Sequence, residues 1–272
     1  MNKTRRKKNG LLVNSCQKLA RRIVLTMPCF MRDGLRLLYG SDTNVEFCLR
    51  KLKEKGFAPE NVVDCGAYMG NWTRMVKRNF PGANILMIEP QANKEPLLVR
   101  VCNEFPGTVD YVRCLMGPES KPAVTFFEME SGSSVLPELT NVPRKTVTLR
   151  MTTLDDVLRE RKIAKATFLK LDVQGYELEV LKGAKEALKN AEVVLLEVSF
   201  VLYNQSAPLF HEVVEFMKDR GFLVYDICPL QRWADNTLFQ ADVFFMKTDS
   251  PFRRIDFTVA DHPSVTPSTV PR

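Results

Sequence analysis

The chain has 272 residues, 45% of them apolar and 26% charged. These are ordinary values for a soluble globular protein long enough to bury a real core, and they exclude collagen-like, wholly disordered and disulfide-scaffold classes. The formal charge of +7 collects in an N-terminal arm: eight Lys and Arg occupy the first 26 positions with no acid, which leaves the rest of the chain close to neutral.

Within that arm Leu12, Cys16, Leu19 and Ile23 recur at helical spacing, with Lys18, Arg21 and Arg22 on the other side. A basic amphipathic helix of this kind can lie on an anionic membrane surface, pack on its own domain, or belong to an organellar transit peptide. The apolar run Ile23–Met31 is broken by Pro28 and is too short to cross a bilayer. From about residue 45, apolar runs that read as buried strands alternate with segments of helical period. The predicted strands are Asn61–Cys65, Ile85–Glu89, Val109–Cys114, Phe168–Val173, Val193–Val198, Phe222–Ile227 and Val243–Lys247. Helices are predicted at Trp72–Asn79, Asn93–Glu104, Tyr176–Lys189 and Leu209–Arg220. Such alternation means an α/β, doubly wound, mostly parallel sheet. Residues 121–151 interrupt it with two β-like runs, Ala123–Phe127 and Thr146–Met151, around a Ser-Gly-Ser-Ser loop, and read as a β insertion. The expected organisation is an arm over 1–44, a domain over 45–248 and a loose, Pro-containing tail over 249–272.

Seven scattered cysteines with no CxxC pair argue against a disulfide framework or a zinc site, and for a reducing compartment. With only His211 and His262, a histidine-rich metal site is excluded. His211 shares the polar face of its helix with Glu215 and Lys218, which marks it as a solvated residue, and His262 falls in the tail.

Three segments carry chemistry. In Val62-Val-Asp-Cys-Gly-Ala-Tyr-Met-Gly-Asn-Trp72, a strand ends at Asp64, glycines follow at Gly66 and Gly70, and a helix begins. Glycine there lets the backbone approach a ligand, and the helix N-terminus offers N–H groups. The Gly-x-x-x-Gly spacing differs from the dinucleotide fingerprint and disfavours an NAD enzyme. Glu89 ends the next strand 23 residues beyond Gly66. A carboxylate there can accept bonds from two ribose hydroxyls, so an adenosine-containing cofactor is expected. Asp172 stands at the carboxyl end of a central strand within Leu169-Lys-Leu-Asp-Val-Gln-Gly-Tyr-Glu-Leu-Glu. Asp155 and Asp156 follow Thr153 and read as helix capping. Ser133 and Ser134 read equally as a substrate loop or a plain turn.

Together with Ile88-Glu-Pro, Thr153-Leu-Asp-Asp, Leu195-Leu-Glu-Val-Ser and Gln240-Ala-Asp-Val-Phe-Phe, these motifs resemble the FkbM family of S-adenosylmethionine-dependent methyltransferases over roughly residues 45–248. Gln174 stands where that family usually has Glu, and Tyr68 where Asn is usual, two departures on the substrate side. The resemblance implies a Rossmann-like, class I methyltransferase sheet of seven strands with the last antiparallel. It also implies O-methyl transfer from S-adenosylmethionine to a sugar, glycolipid or polyketide-like hydroxyl. By position, Gly66, Ala67 and Gly70 would serve the methionine part, Glu89 the ribose, and the segment Cys114 to Met116 the adenine, with Asp64 also cofactor-binding. The sulfonium already activates the methyl group, so the protein must chiefly align the acceptor oxygen and exclude water. A base removes the proton, and Asp172 is the candidate. A divalent cation held by Asp172 and Glu197 is the less favoured alternative.

The expected partner is a small-molecule or carbohydrate acceptor, and the expected location cytoplasmic, with residues 1–26 available for peripheral membrane contact. Two rival readings follow from the arm. One is an RNA or DNA methyltransferase, disfavoured by the near-neutral body and the missing Asn/Asp-Pro-Pro-Tyr/Phe motif. The other is a catalytically silent adenosine-binding module at a membrane.

Overall fold

The computed structural model describes residues 44–253. The expected amphipathic helix of the arm, its membrane contact, and His262 lie outside the described residues. Among those described, no helix is long and apolar enough to cross a membrane.

Among the described residues, ten strands form two sheets. The main sheet contains β1 (Asn61–Cys65), β2 (Asn84–Ile88), β3 (Val109–Val112), β7 (Phe168–Leu171), β8 (Val193–Ser199), β9 (Phe222–Arg232) and β10 (Leu238–Lys247). Its order is β3-β2-β1-β7-β8-β10-β9. The first five strands run parallel, and β10 is antiparallel to both neighbours. The strand order reverses between β1 and β7, so a crevice opens at their carboxyl ends, where open α/β sheets bind ligands. The insertion builds a second sheet, β4-β6-β5, from Leu115–Met116, Lys145–Thr152 and Lys121–Glu128.

Both faces of the main sheet are covered, as parallel sheets require. Val63, Cys65, Leu169, Leu171, Val194 and Leu196 point to one side, where α4 (Leu154–Glu160), α5 (Glu177–Lys182), α6 (Lys185–Asn190) and α7 (Phe210–Lys218) pack. The alternate residues, including Val62, Phe168, Val193 and Phe244, meet α1 (Val45–Glu54), α2 (Asn71–Asn79) and α3 (Glu95–Glu104) on the other. Phe168 is fully buried there, edge-on to Phe57 and Trp72.

Several expectations need correction. The helix predicted over Tyr176–Lys189 is two helices, separated at Gly183 and Ala184. A side chain at Gly183 would collide with the Gly117 carbonyl, so the break lets the insertion's base pack close. Asp155 then caps α6 rather than its own helix, accepting from the backbone N–H of Glu186 at 3.0 Å and Ala187 at 2.9 Å. Thr153 caps α4 as expected, accepting from Asp156 N–H. The strand predicted to reach Cys114 stops at Val112, because Leu115 and Met116 leave to pair with β6. The last two strands are longer than their apolar runs and form one long hairpin. The described chain also continues past 248, with Phe252 packed against Phe57. Finally, the sulfurs of Cys48 of α1 and Cys228 of β9 lie side by side, with Cα atoms 7.6 Å apart. That pairing was not foreseen from scattered cysteines.

Candidate active site

At the switch point, the chain leaving β1 turns tightly through Gly66, whose φ of 76° suits glycine. A Cβ at Gly66 would collide with the Asp172 carbonyl, so the absence of a side chain lets the β1 and β7 turns touch. A cavity with about 690 Å³ of open space lies beside them, walled by Gly66, Glu89, Met116, Asp172, Tyr176 and the insertion. Of the positions expected to serve a cofactor, Gly66, Glu89 and Met116 line it, as do Cys114 and Leu115. Asp64, Ala67 and Gly70 do not. Asp64 is fully buried instead, accepting from the Thr73 hydroxyl at 2.8 Å and pairing with Lys170 at 3.1 Å.

Glu89 is 3% exposed. It accepts from Tyr68 N–H at 2.9 Å, Gln91 N–H at 3.0 Å and the Gln91 side-chain amide at 3.1 Å. Burial pushes its carboxyl above the usual range, and these donors work against that rise. A carboxylate has about four acceptor positions, of which three are taken. A ribose diol fits by using the fourth and replacing the Gln91 side chain. Ile88, Leu115, Met116 and Val135 supply apolar walls suited to a planar base. The residues present therefore suit an adenosine cofactor.

The insertion forms the cavity's outer wall. Glu130 accepts from the Tyr68 hydroxyl at 2.6 Å and pairs with Lys94, whose ammonium sits 4.3 Å from the centre of the Tyr68 ring. Ser133 and Ser134 are buried, and their hydroxyls donate to the carbonyls of Glu130 and Gln174. They brace the loop. Gln91, Lys94 and Glu130 were missed as site residues, since the contacts that bring Tyr68, Gln91 and Lys94 to Glu130 span 36 to 62 positions of sequence.

The side of the site toward β7 and β8 is richer in charge. Lys170 is buried and donates to the Gly66 carbonyl at 2.9 Å, with Asp172 3.6 Å away. Burial opposes its charge, but Asp64 and Asp172 more than offset this and raise its pKa. A lysine inside the otherwise apolar Phe168-Leu-Lys-Leu171 was the signal available in sequence. The Gln174 amide nitrogen donates to both Asp172 at 2.9 Å and Glu197 at 2.6 Å. Glu197 also accepts from Gln240 at 3.1 Å and Gln231 at 3.4 Å. Burial, then Asp172 and Asp242, hold the Glu197 carboxyl well above the usual range. A cation between Asp172 and Glu197 does not fit this donor set, because an amide donor fills the place between them. Among the described residues, no group of three His, Cys, Asp or Glu is arranged to hold a metal. His211 is exposed on α7.

Glu177, beneath this cluster, accepts from Val173 N–H at 2.9 Å and Gly175 N–H at 3.2 Å. Burial pushes its carboxyl from the ordinary 4.5 up to about 7. The native state therefore keeps a proton that the unfolded chain has released. Its contribution is fully present below pH 4.5 and is lost as pH rises through about 7. Glu177→Gln retains an acceptor for both amides and removes the titration. Its melting temperature should fall less than the native protein's between roughly pH 5 and pH 8, by scanning calorimetry. Equal slopes would assign the pH dependence to Asp242 and Glu197.

This sheet order, with a glycine turn after the first strand and an acid after the second, defines a class I, Rossmann-like methyltransferase. The chain matches the Methyltransferase FkbM domain over residues 64–224, more than half its length, and belongs to that family. It is a methyltransferase that uses S-adenosylmethionine. It is 28% identical over 195 residues to methyltransferase sdnD of Sordaria araneosa, covering 59% of this chain and 75% of that one. It is 24% identical over 188 residues to hexuronic acid methyltransferase AglP of Haloferax volcanii, covering 65% and 74%. Among solved structures, magnesium protoporphyrin IX methyltransferase from Synechocystis PCC 6803 with bound SAM aligns with a TM-score of 0.45. That match has 10% identity and covers 81% of this chain and 85% of that one.

Proposed function

We propose that the protein O-methylates a hydroxyl of a small, saccharide-type acceptor, with Asp172 taking the proton. One observation carries the reading: Asp172 borders the cofactor cavity and is tied through Gln174 to Glu197. A carboxylate thus stands between the methyl-donor side and a cluster suited to hydroxyl groups. The name of the hexuronic acid relative supports a carbohydrate acceptor.

S-adenosylmethionine supplies a methyl group on a sulfonium, already activated for transfer. The protein's own work is placement and proton handling. Gly66 and Met116, which line the cavity, would bound the cofactor, and Glu89 would hold its ribose. The insertion, latched through Glu130 to Tyr68 and Lys94, walls the cavity on its outer side. An alcohol oxygen becomes strongly acidic once methylated, so the Asp172 carboxylate can take the proton during or after transfer.

Calorimetric titration with S-adenosylmethionine, S-adenosylhomocysteine and NAD tests the cofactor half, with binding of the first two and not the third expected. Release of S-adenosylhomocysteine in the presence of uronic acids and neutral glycosides tests the acceptor half. Turnover with amine acceptors but no hydroxyl compound would overturn O-methylation.

A further inference from the structure

The polar cluster at the end of β8 continues into an aromatic surface. Tyr203, in the loop after β8, lies edge-on to Phe239 at 5.0 Å. Phe239 stacks on Trp233 at 4.9 Å with 23° between the ring planes. Trp233 is fixed at the turn of the β9–β10 hairpin, donating from its N–H to the Thr237 carbonyl at 3.0 Å and accepting from Asn236 N–H at 3.0 Å. With one face against Phe239, it remains 44% exposed.

The shelf is continuous with the site. Gln231, two residues before Trp233, reaches Glu197, and Gln240, next to Phe239, binds the same carboxylate. A path of carboxylates and amides, Asp172, Gln174, Glu197, Gln240 and Gln231, therefore runs from the proton acceptor to the aromatic rings. Carboxylates accept from hydroxyls, while amides both donate and accept. An aromatic face carries negative quadrupole density that attracts polarised C–H groups. A ligand that satisfies both needs a rim of hydroxyls and a flat C–H face. A pyranose ring has both, whereas an alkyl chain would leave the amides and carboxylates unpaired and a bare phenol would use few of them.

We infer that Trp233, backed by Phe239 and Tyr203, is the stacking platform of the acceptor subsite, and that it holds a pyranose ring with its hydroxyl edge toward Glu197 and Asp172. This rests on the reading of the protein as a hydroxyl methyltransferase. The ring could arrive as a simple glycoside or as a nucleotide-linked sugar.

Saturation-transfer NMR on the full chain with saturating S-adenosylhomocysteine tests it, using methyl glucopyranoside, glucuronic acid and UDP-glucose as probes. Transfer is expected to concentrate on the ring protons of one sugar face. It should drop about fivefold in Trp233→Ala, the scale of a lost aromatic contact, and recover in Trp233→Phe. If only UDP-glucose responds, with its sugar protons saturated, the nucleotide-linked source is the acceptor form and the platform stands. No transfer to any pyranose, transfer only to uridine, or equal transfer in Trp233→Ala would overturn it. S-adenosylhomocysteine affinity, measured in parallel, separates the two readings. If the native protein fails to bind it, the methyltransferase assignment of the site fails; if binding persists without a sugar response, only the platform does.

Discussion

Glu89→Ala should weaken S-adenosylmethionine binding about 100-fold by calorimetry, because two charge-assisted bonds to ribose are lost at about 1.5 kcal/mol each. The same carboxylate accepts from Tyr68 N–H, and Tyr68 has a φ of 49°, a left-handed conformation uncommon outside glycine. Its removal therefore also loosens the turn that carries Gly66. Glu89→Gln separates the two roles. It keeps an oxygen for Tyr68 N–H, gives up the one that accepts from Gln91 N–H, and loses the charge, so a loss nearer tenfold is expected. Native affinity in both variants, with a lowered melting temperature in Glu89→Ala, would mean that Glu89 serves the turn alone.

Asp172→Asn should lower turnover by about 10² to 10⁴, the usual value of a positioned base, while S-adenosylhomocysteine affinity stays close to native. The substitution is nearly isosteric, and its carbonyl oxygen can still accept from Gln174. Lys170 retains Asp64 at 3.1 Å as its main counter-charge, so the buried ammonium is not abandoned. Single-turnover release of S-adenosylhomocysteine with a responsive acceptor provides the measurement. A loss smaller than tenfold would show that the proton leaves to water and that catalysis rests on alignment alone.

Much of this arrangement was legible in the linear chain. The central strands announced themselves as short apolar runs, since strands buried on both faces need apolar residues at every position. Gly66 and Glu89 stood out because a glycine turn and an acid at a fixed distance after it follow directly from strand–turn–helix geometry. Helix α1 was equally readable, with Val45, Cys48, Leu49 and Leu52 buried at helical spacing, but it lacks a punctuating motif and was passed over. The break at Gly183 was hidden, because Leu181, Ala184 and Leu188 keep an apolar stripe across it. Only the carbonyl of Gly117, 66 positions away, makes the glycine necessary.

The sequence by itself determined the sheet, its layers, the glycine turn and the family, because those depend on local periodicity and on motifs whose members are neighbours in the chain. Tertiary structure alone decided how the charges are shared. Asp64 turned inward to neutralise Lys170, and Gln174 reached across to join Asp172 with Glu197. Glu130 came back over 60 positions to latch Tyr68, and Trp233 stacked on Phe239. Each contact joins residues from different strands or loops, and its energy depends on distances that periodicity does not encode. A buried charge also needs a partner wherever the fold supplies one, not where the sequence places it.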